Sequence, residues 1–492
     1  MSHQRNTDRI NYRLLARLVG MLLTILATSM VVPIAVSVAF SDGAQYGLFF
    51  SALALLMVGL FLRNFVGAGA SYEIRERDSV WITAAVWIIV PLIGAMPYLF
   101  TSSVSTFTDA VFESFSGFTT TGSSILRNVD AVPPGLLVWR STSQWIGGMG
   151  LILFVIALLH RLNEGSSRLY DAEFSGTLQR RLHPRMSRNV LLMWTIYASL
   201  TAVMFILLLA GGNGFVDSYC TALSTVSTGG FMTHMSGMEC FSPYSTAVVI
   251  VFMFLSGINL ALLFHLFTGR VRLVAKDEEL KRYVAVFVCA TIICAISFIS
   301  SGNDTGHSLK FSVFHVASTL STCGFYISSP AKWPFLASAV TLILIFIGAS
   351  AGSTGGGIKL KRVMIVLRYV RNYFITMIHP HAVVSVKLGD TVVNEEYVKK
   401  IFAFIFLYLL FIIGGTFVLT LSGLGIPDAL CMAAANIGNL GPSPIQHALG
   451  GTIEYWMLIP IAKWAVVLLM LAGRLEIFAL AAMFMPEYWK KK

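Results

Sequence analysis

DAVFESFSGFTTTG (109–122) is a short, moderately apolar run that ends in small polar residues and a glycine. The same pattern returns as DSYCTALSTVSTGG (217–230), FSVFHVASTLSTCG (311–324) and DALCMAAANIGNLG (428–441). Three copies carry an acid thirteen positions before the final glycine (Asp109, Asp217, Asp428); Phe311 takes that place in the other. Each copy lies between two segments long enough to cross a bilayer. The unit therefore reads as outer helix, re-entrant half-helix, Gly loop and inner helix. Four of them predict an all-α integral membrane protein with four pseudo-symmetric helix–pore loop–helix repeats around a central cation pore.

Composition agrees. Of 492 residues, 56% are apolar and 12% charged, with a mean hydropathy of +0.75; a soluble domain carries about twice that charge fraction. Apolar runs near the roughly 20 residues that span hydrocarbon recur along the chain. The expected spans are 14–40, 46–62, 79–101, 137–159, 190–211, 246–268, 283–300, 335–375 (interrupted), 401–421 and 453–486. The first two form an N-terminal two-helix hairpin joined by SDGAQ (41–45), with no Gly loop of their own. The run to Phe40 is too long for a signal-peptide core of about 7–15 residues, so it reads as a retained span. The expected units are 1–78 (hairpin), 79–189 (repeat one), 190–282 (repeat two), 283–400 (repeat three, with a broken inner helix) and 401–492 (repeat four).

The net charge of +11 does not mark nucleic-acid binding. Of the 35 Lys and Arg, 29 fall in the N-terminus, the tail and the loops of one side. Basic loops stay cytoplasmic, so both termini are expected inside and the Gly loops open outward. The six Cys form no metal or redox spacing, and no disulfide is inferred.

Irregular backbone survives at membrane depth only where it lines water or protein. Four such stretches call for a shared polar axis. Asp109, Asp217 and Asp428 are expected as N-caps of the half-helices, whose negative C-terminal ends then favour a cation. Main-chain oxygens of Thr120, Thr121 and Gly122 would replace the hydration shell of the ion. So would those of Thr228, Gly229 and Gly230, of Thr322, Cys323 and Gly324, and of Asn439, Leu440 and Gly441. Glu113 sits in the first half-helix, where it either strengthens this field or is simply buried.

The loops TTTG (119–122), STGGF (227–231), STCGF (321–325) and NLGP (439–442) resemble the four filter loops of the Trk/Ktr/HKT superfamily of potassium transporters. QWIGGMG (144–150) and the N-terminal hairpin resemble its TrkH-type branch, and the likeness runs from about residue 14 onward. It implies a subunit that moves K+ across the cell (inner) membrane and assembles as a homodimer. It also implies a cytosolic, TrkA-type nucleotide-binding regulatory partner. No organic cofactor and no nucleic acid is implied, and no covalent catalysis. The filter glycines of the family map onto Gly122, Gly230, Gly324 and Gly441. Some plant members with sodium preference have Ser at the first position; Gly122 favours potassium. The fourth loop departs from the pattern, with Pro442 where Phe231 and Phe325 stand in loops two and three.

The third inner helix contains GASAGSTGGGIK (348–359). A P-loop needs Gly-Lys-Ser/Thr, which is missing here. Each Gly costs a helix about 1 kcal/mol relative to Ala, so a break is expected. The family has an intramembrane loop at this place that obstructs the inner pore. Gly348, Ser350, Gly352, Ser353, Thr354, Gly355, Gly356 and Gly357 are accordingly expected to form a gate. Arg474 lies deep in the last span, where a charge needs polar partners; Ser350, Ser353 and Thr354 offer them. The alternative is pairing with Glu476, although residues two apart do not share a helix face. Lys463 has no assigned partner. His265 and His315 read as packed side chains or proton relays.

Two other functional classes remain to be weighed. A secondary carrier coupling K+ to H+ or Na+ usually shows inverted repeats, whereas these four share one orientation. A membrane enzyme would cluster acids, His or Cys at one face, and this chain disperses them. A less selective monovalent cation pore would have the same build.

Overall fold

The computed structural model describes residues 11–68, 76–151, 186–327, 333–382, 384–389, 391–442, 454–483 and 485. Residues 152–185, which hold the inner end of span 137–159 and most of the expected loop 160–189, lie outside them. Among the described residues, six helices or near-straight helix pairs are long and apolar enough to cross a bilayer: Tyr12–Phe40, Gln45–Val66, Asp78–Phe100, Val190–Ala210, Glu278–Ser300 and Glu395–Thr420. The chain is a multi-pass membrane protein. Its described residues are all-α except for a hairpin of two short strands, β1 (Lys387–Leu388) and β2 (Thr391–Val392), between the third and fourth repeats.

Helices α1 (Tyr12–Ser29), α2 (Val31–Phe40) and α3 (Gln45–Phe61) make the N-terminal hairpin. Outer helices are α4 (Glu76–Ile93) with α5 (Met96–Phe100), then α8 (Met186–Ala210), α13 (Glu278–Ser300) and α17 (Glu395–Thr420). Half-helices are α6 (Phe107–Phe118), α9 (Phe215–Val226), α14 (Thr305–Leu320) and α18 (Ile426–Ile437). Inner helices are α7 (Pro134–Gly148), α10 (Pro243–Ser256) with α11 (Leu260–Phe267), α15 (Phe335–Ile347) with α16 (Leu360–Ile378), and α19 (Pro460–Arg474) with α20 (Phe478–Met483). Short α12 (Val271–Lys276) joins α11 to α13.

The packing is cyclic. Inner helix α7 lies on half-helix α9, α10 on α14, α15 on α18, and α19 returns to α6. Each inner helix thus braces the half-helix of the next unit, and the fourth closes on the first. The hairpin docks outside this ring, with α1 against α4 and α2 against α7.

Three inner helices break within the described residues. The break at 348–359 was expected; those in the second and fourth inner helices were not. The second bends by 110° between Ser256 and Leu260 instead of continuing through 246–268. Asn259 restarts the helix there, its side chain accepting from Ala261 N–H. The fourth turns at Glu476 and Ile477, both with positive φ, within the expected span 453–486. Apolar composition on both sides of these turns hid them from a reading based on span length.

Asp109, Asp217 and Asp428 are not N-caps. The caps are Thr106, Gly214 and Gly425, and each acid stands in the first turn. The dipole still favours an acid there, and the side chain is free to reach other elements. Helix α14 begins a turn earlier than its counterparts and is capped by Asp304. The acid missing at Phe311 is therefore displaced along the sequence.

Asp42 ties the hairpin to the ring. Its carboxylate accepts from Ala44 N–H (2.9 Å), Gly135 N–H at the start of α7 (2.8 Å) and the Ser37 hydroxyl. Hydrogen bonds to a charged group contribute about 1.5–3 kcal/mol each. Asp42→Ala is expected to lower the thermal midpoint in detergent by several degrees while leaving ion preference unchanged; Asp42→Asn should retain most of the stability.

Candidate functional site

All four half-helices end in the same way. In the first, Thr121 N–H donates to Ser116 O (2.9 Å) and Thr120 N–H to Gly117 O (3.0 Å). The pairs Gly229–Ser224 (2.7 Å), Cys323–Ser318 (2.9 Å) and Leu440–Ala435 (2.9 Å) repeat the first bond. This is a Schellman cap, which needs a left-handed residue just past the helix. The left-handed residues are Thr120, Thr228, Thr322 and Asn439, with φ of 55, 55, 60 and 50°. A non-glycine residue there costs about 1–2 kcal/mol, and the cost recurs in all four copies. Gly122, Gly230, Gly324 and Gly441 follow with φ of 80, 78, 82 and 85°.

Those four glycines converge. A Cβ on Gly122 would lie 2.3 Å from Gly229 O, and one on Gly230 2.0 Å from Cys323 O. A Cβ on Gly324 would lie 2.0 Å from Leu440 O, and one on Gly441 2.2 Å from Thr121 O. The contacts run one to two, two to three, three to four and four to one. Each loop's carbonyl occupies the place of the next loop's missing side chain, so backbones close a ring that any side chain would break.

Neighbouring side chains brace the ring. Glu113, fully buried, accepts from Ile125 N–H (2.9 Å) and Ser124 Oγ (3.0 Å) and pairs with Arg140 of α7 (2.7 Å). The Arg140 guanidinium also lies 4.0 Å from the Phe231 ring centre and donates to Met232 O (3.3 Å), which joins the first loop to the second. Glu113 is thus a neutralised strut rather than a bare field source. On the other side, Ser123 Oγ donates to Asn436 Oδ1 (2.8 Å) and Asn439 Nδ2 to Thr121 Oγ1 (3.0 Å), joining loop one to loop four. Lys463 meets Asp109 (2.8 Å), linking the fourth inner helix to the first half-helix.

Beyond the second loop, His234 lies between Asp130 (3.0 Å) and Asp217 (3.1 Å). Partial burial opposes its charging, but the two carboxylates outweigh that and raise its pKa above the ordinary histidine value. His315 sits in an aromatic cluster, 4.3 Å from the Phe311 ring centre and 4.7 Å from that of Trp333. Neither ring nitrogen of His315 has a hydrogen-bond partner among the described residues, nor has Nδ1 of His265. His315 is a packed side chain.

Residues 348–357 lie directly under the ring. Thr354 Oγ1 donates to Val226 O at the end of half-helix two (3.2 Å). Gly356 N–H donates to Thr322 Oγ1 (2.8 Å), and Gly355 abuts Ser321 O. A Cβ on Gly356 would lie 2.2 Å from Gly438 O, below the fourth loop. Arg474 reaches the remaining quarter: it donates to Thr354 O (3.1 Å) and to Gly147 O (2.6 Å) and Gly148 O (2.7 Å) at the end of α7. The segment and Arg474 together touch all four units. Gly348 ends α15 with φ of 66° and packs on Gly357. Ser350 N–H donates to Gly257 O (3.0 Å), Ser353 Oγ to Ser350 O (2.7 Å), and Gly352 O accepts from Leu260 N–H (3.1 Å). Glu279 at the start of α13 accepts from Ala351 N–H (2.6 Å). A cavity of about 40 Å³ remains between Asn439, Gly355, Gly473 and Arg474, room for a few waters at most. Glu476 pairs with Arg362 and, at 3.8 Å, with Lys359.

Residues 50–491 match the model of the TrkH family, described as cation transport protein. The chain belongs to this family. It is 33% identical over 426 residues to the Trk system potassium uptake protein TrkH of Salmonella typhimurium, covering 85% of this chain and 87% of that one. The Trk system potassium uptake protein TrkH of Halomonas elongata is 33% identical over 470 residues, 92% of this chain and 94% of the relative. The crystal structure of the potassium transporter TrkH from Vibrio parahaemolyticus superposes with a TM-score of 0.87 at 29% identity, covering 97% of this chain and all of that one. The family is one of transporters, not enzymes.

The four loops meet at one ring and residues 348–357 with Arg474 lie against it, but the pairing of the braces around them was not legible in the sequence. Arg140 and Asn436 were legible as polar side chains within apolar helices; their partners, 27 and 313 positions away, were not. Removing one member of a buried pair strands the other at about 3–5 kcal/mol. Glu113→Ala and Arg140→Ala are each expected to lower the thermal midpoint sharply. The double variant should lose much less than the sum, and additive losses would deny the coupling.

Proposed function

We propose that this chain is the ion-conducting subunit of a potassium uptake system. Oxygens of Thr120–Gly122, Thr228–Gly230, Thr322–Gly324 and Asn439–Gly441 serve as its filter. The closed ring of four glycine contacts carries this reading. Backbone meeting backbone at one constriction leaves main-chain dipoles as the available ligands, and these suit a weakly hydrated monovalent cation. The names of the relatives, all potassium uptake proteins, support K+ as the cargo.

The segment 348–357 with Arg474 is the gate in this reading. It crosses the path under the filter and holds a positive charge there, through hydrogen bonds a small displacement can exchange. The units 1–78, 79–189, 190–282, 283–400 and 401–492 are the hairpin and the four repeats. Assembly is as a homodimer in the inner membrane with both termini cytoplasmic, as the skew of 29 basic residues supports. The family resemblance adds a TrkA-type nucleotide-binding subunit on that face.

Rubidium uptake in cells lacking their own potassium systems tests the proposal. The wild-type chain should restore uptake, and Gly230→Asp should abolish it at equal membrane abundance, because its side chain would start 2.0 Å from Cys323 O. Uptake unaffected by Gly230→Asp would reject the filter. Deleting 350–356 should raise uptake several-fold; unchanged uptake would reject the gate.

A further inference from the structure

Ten positions after the first residue of each inner helix, the four units present Gln144, Met253, Ile345 and Met470. All four are buried, with Gln144, Met253 and Met470 at 0% and Ile345 at 1% exposure. Three quarters fill this place with an unbranched or branched hydrophobe, so packing alone does not call for an amide. A buried amide carries a desolvation cost that only well-made hydrogen bonds offset. Gln144 makes both. Its Nε2 donates to Gly229 O at 2.6 Å, and its Oε1 accepts from Phe231 N–H at 3.3 Å. The amide therefore straddles Gly230 and grips the second loop on either side of it. Its plane also lies flat on Gly229, where a Cβ would fall 2.4 Å from the Gln144 amide carbon.

Gly229 O is the oxygen that fills the vacant side of Gly122, so the grip sits at the seam between loops one and two. The counterparts of this carbonyl belong to Thr121, Cys323 and Leu440 and contact Gly441, Gly230 and Gly324. For none of those three does a side chain on an inner helix donate to the oxygen among the described residues. Only at the second loop, among the described residues, is this particular carbonyl held by a donor from an inner helix; the other loops are braced at other atoms, by Glu113 on Ile125 N–H, by Ser318 on Phe325 O and by Tyr455 on Gly441 O.

We propose that Gln144 is a positioning residue for ion discrimination: by clamping Gly229 O and Phe231 N–H it sets the orientation of the second-loop carbonyls against the ion. It does not touch the ion. Without the clamp, Gly230, at φ 78°, is the natural swivel of the loop. A carbonyl free to swivel adapts to a smaller cation, and discrimination against Na+ falls while conduction continues. The inference rests on the ring being the filter.

The test is Gln144→Met, which installs the side chain found at two of the other three positions, measured beside wild type and Gly230→Ser. The readouts are the Na+ concentration that halves rubidium uptake, maximal uptake and membrane abundance. Gln144→Met should lower the halving Na+ concentration at least tenfold with maximal uptake within about threefold. Gln144→Glu keeps the acceptor for Phe231 N–H and loses the donor to Gly229 O, and should shift preference the same way. It serves as the deciding variant should Gln144→Met fail to accumulate. Unchanged ion preference in the Gln144 variants, with Gly230→Ser uptake lost or its preference altered, would overturn this inference alone. Unchanged preference in all of them would overturn the filter reading beneath it.

Discussion

Four backbone segments occupy one another's missing side chains, and the rest of the molecule is arranged so that they can. Each of Gly122, Gly230, Gly324 and Gly441 admits a neighbouring carbonyl to within 2.0–2.3 Å of where a Cβ would stand. Such closeness fixes the residue type, the left-handed φ and the relative position of four half-helices at once. It also explains the left-handed Thr120, Thr228, Thr322 and Asn439, whose strain must be overcome by surrounding packing. The cyclic bracing of α7 on α9, α10 on α14, α15 on α18 and α19 on α6 supplies that packing.

The ring is fourfold in its backbone and not in its side chains. A carboxylate–guanidinium pair holds loop one, a glutamine loop two, Ser318 donating to Phe325 O loop three (2.7 Å), and Tyr455, which accepts from Asn436 Nδ2 and donates to Gly441 O, loop four. The asymmetry continues below, where among the described residues the third inner helix alone expands its break into a twelve-residue segment, 348–359. One segment that blocks a shared axis is mechanically simpler than four, because a single displacement clears the path. Arg474 and Glu279 hold it from opposite sides, on α19 and α13.

Much of this was legible in the sequence for a physical reason. Glycine at a fixed distance from a short apolar run is a local signal, and fourfold repetition made it a global one. The interruption at 348–359 was equally plain, because no helix interior carries that many glycines. What could not be read was long-range pairing: Arg140 with Glu113, Lys463 with Asp109, Ser123 with Asn436. The half-helix acids were misassigned by one local detail, since Thr106, Gly214 and Gly425 already occupy the capping position. The breaks at 257–259 and 475–477 escaped because hydropathy reports length in the membrane and not continuity of the helix.

Anomalous diffraction from crystals of the protein grown in rubidium or thallium tests the central claim most directly. The account predicts a peak on the axis enclosed by Thr120–Gly122, Thr228–Gly230, Thr322–Gly324 and Asn439–Gly441. A ring devoid of signal, with the heavy cation bound elsewhere in the membrane region, would contradict it.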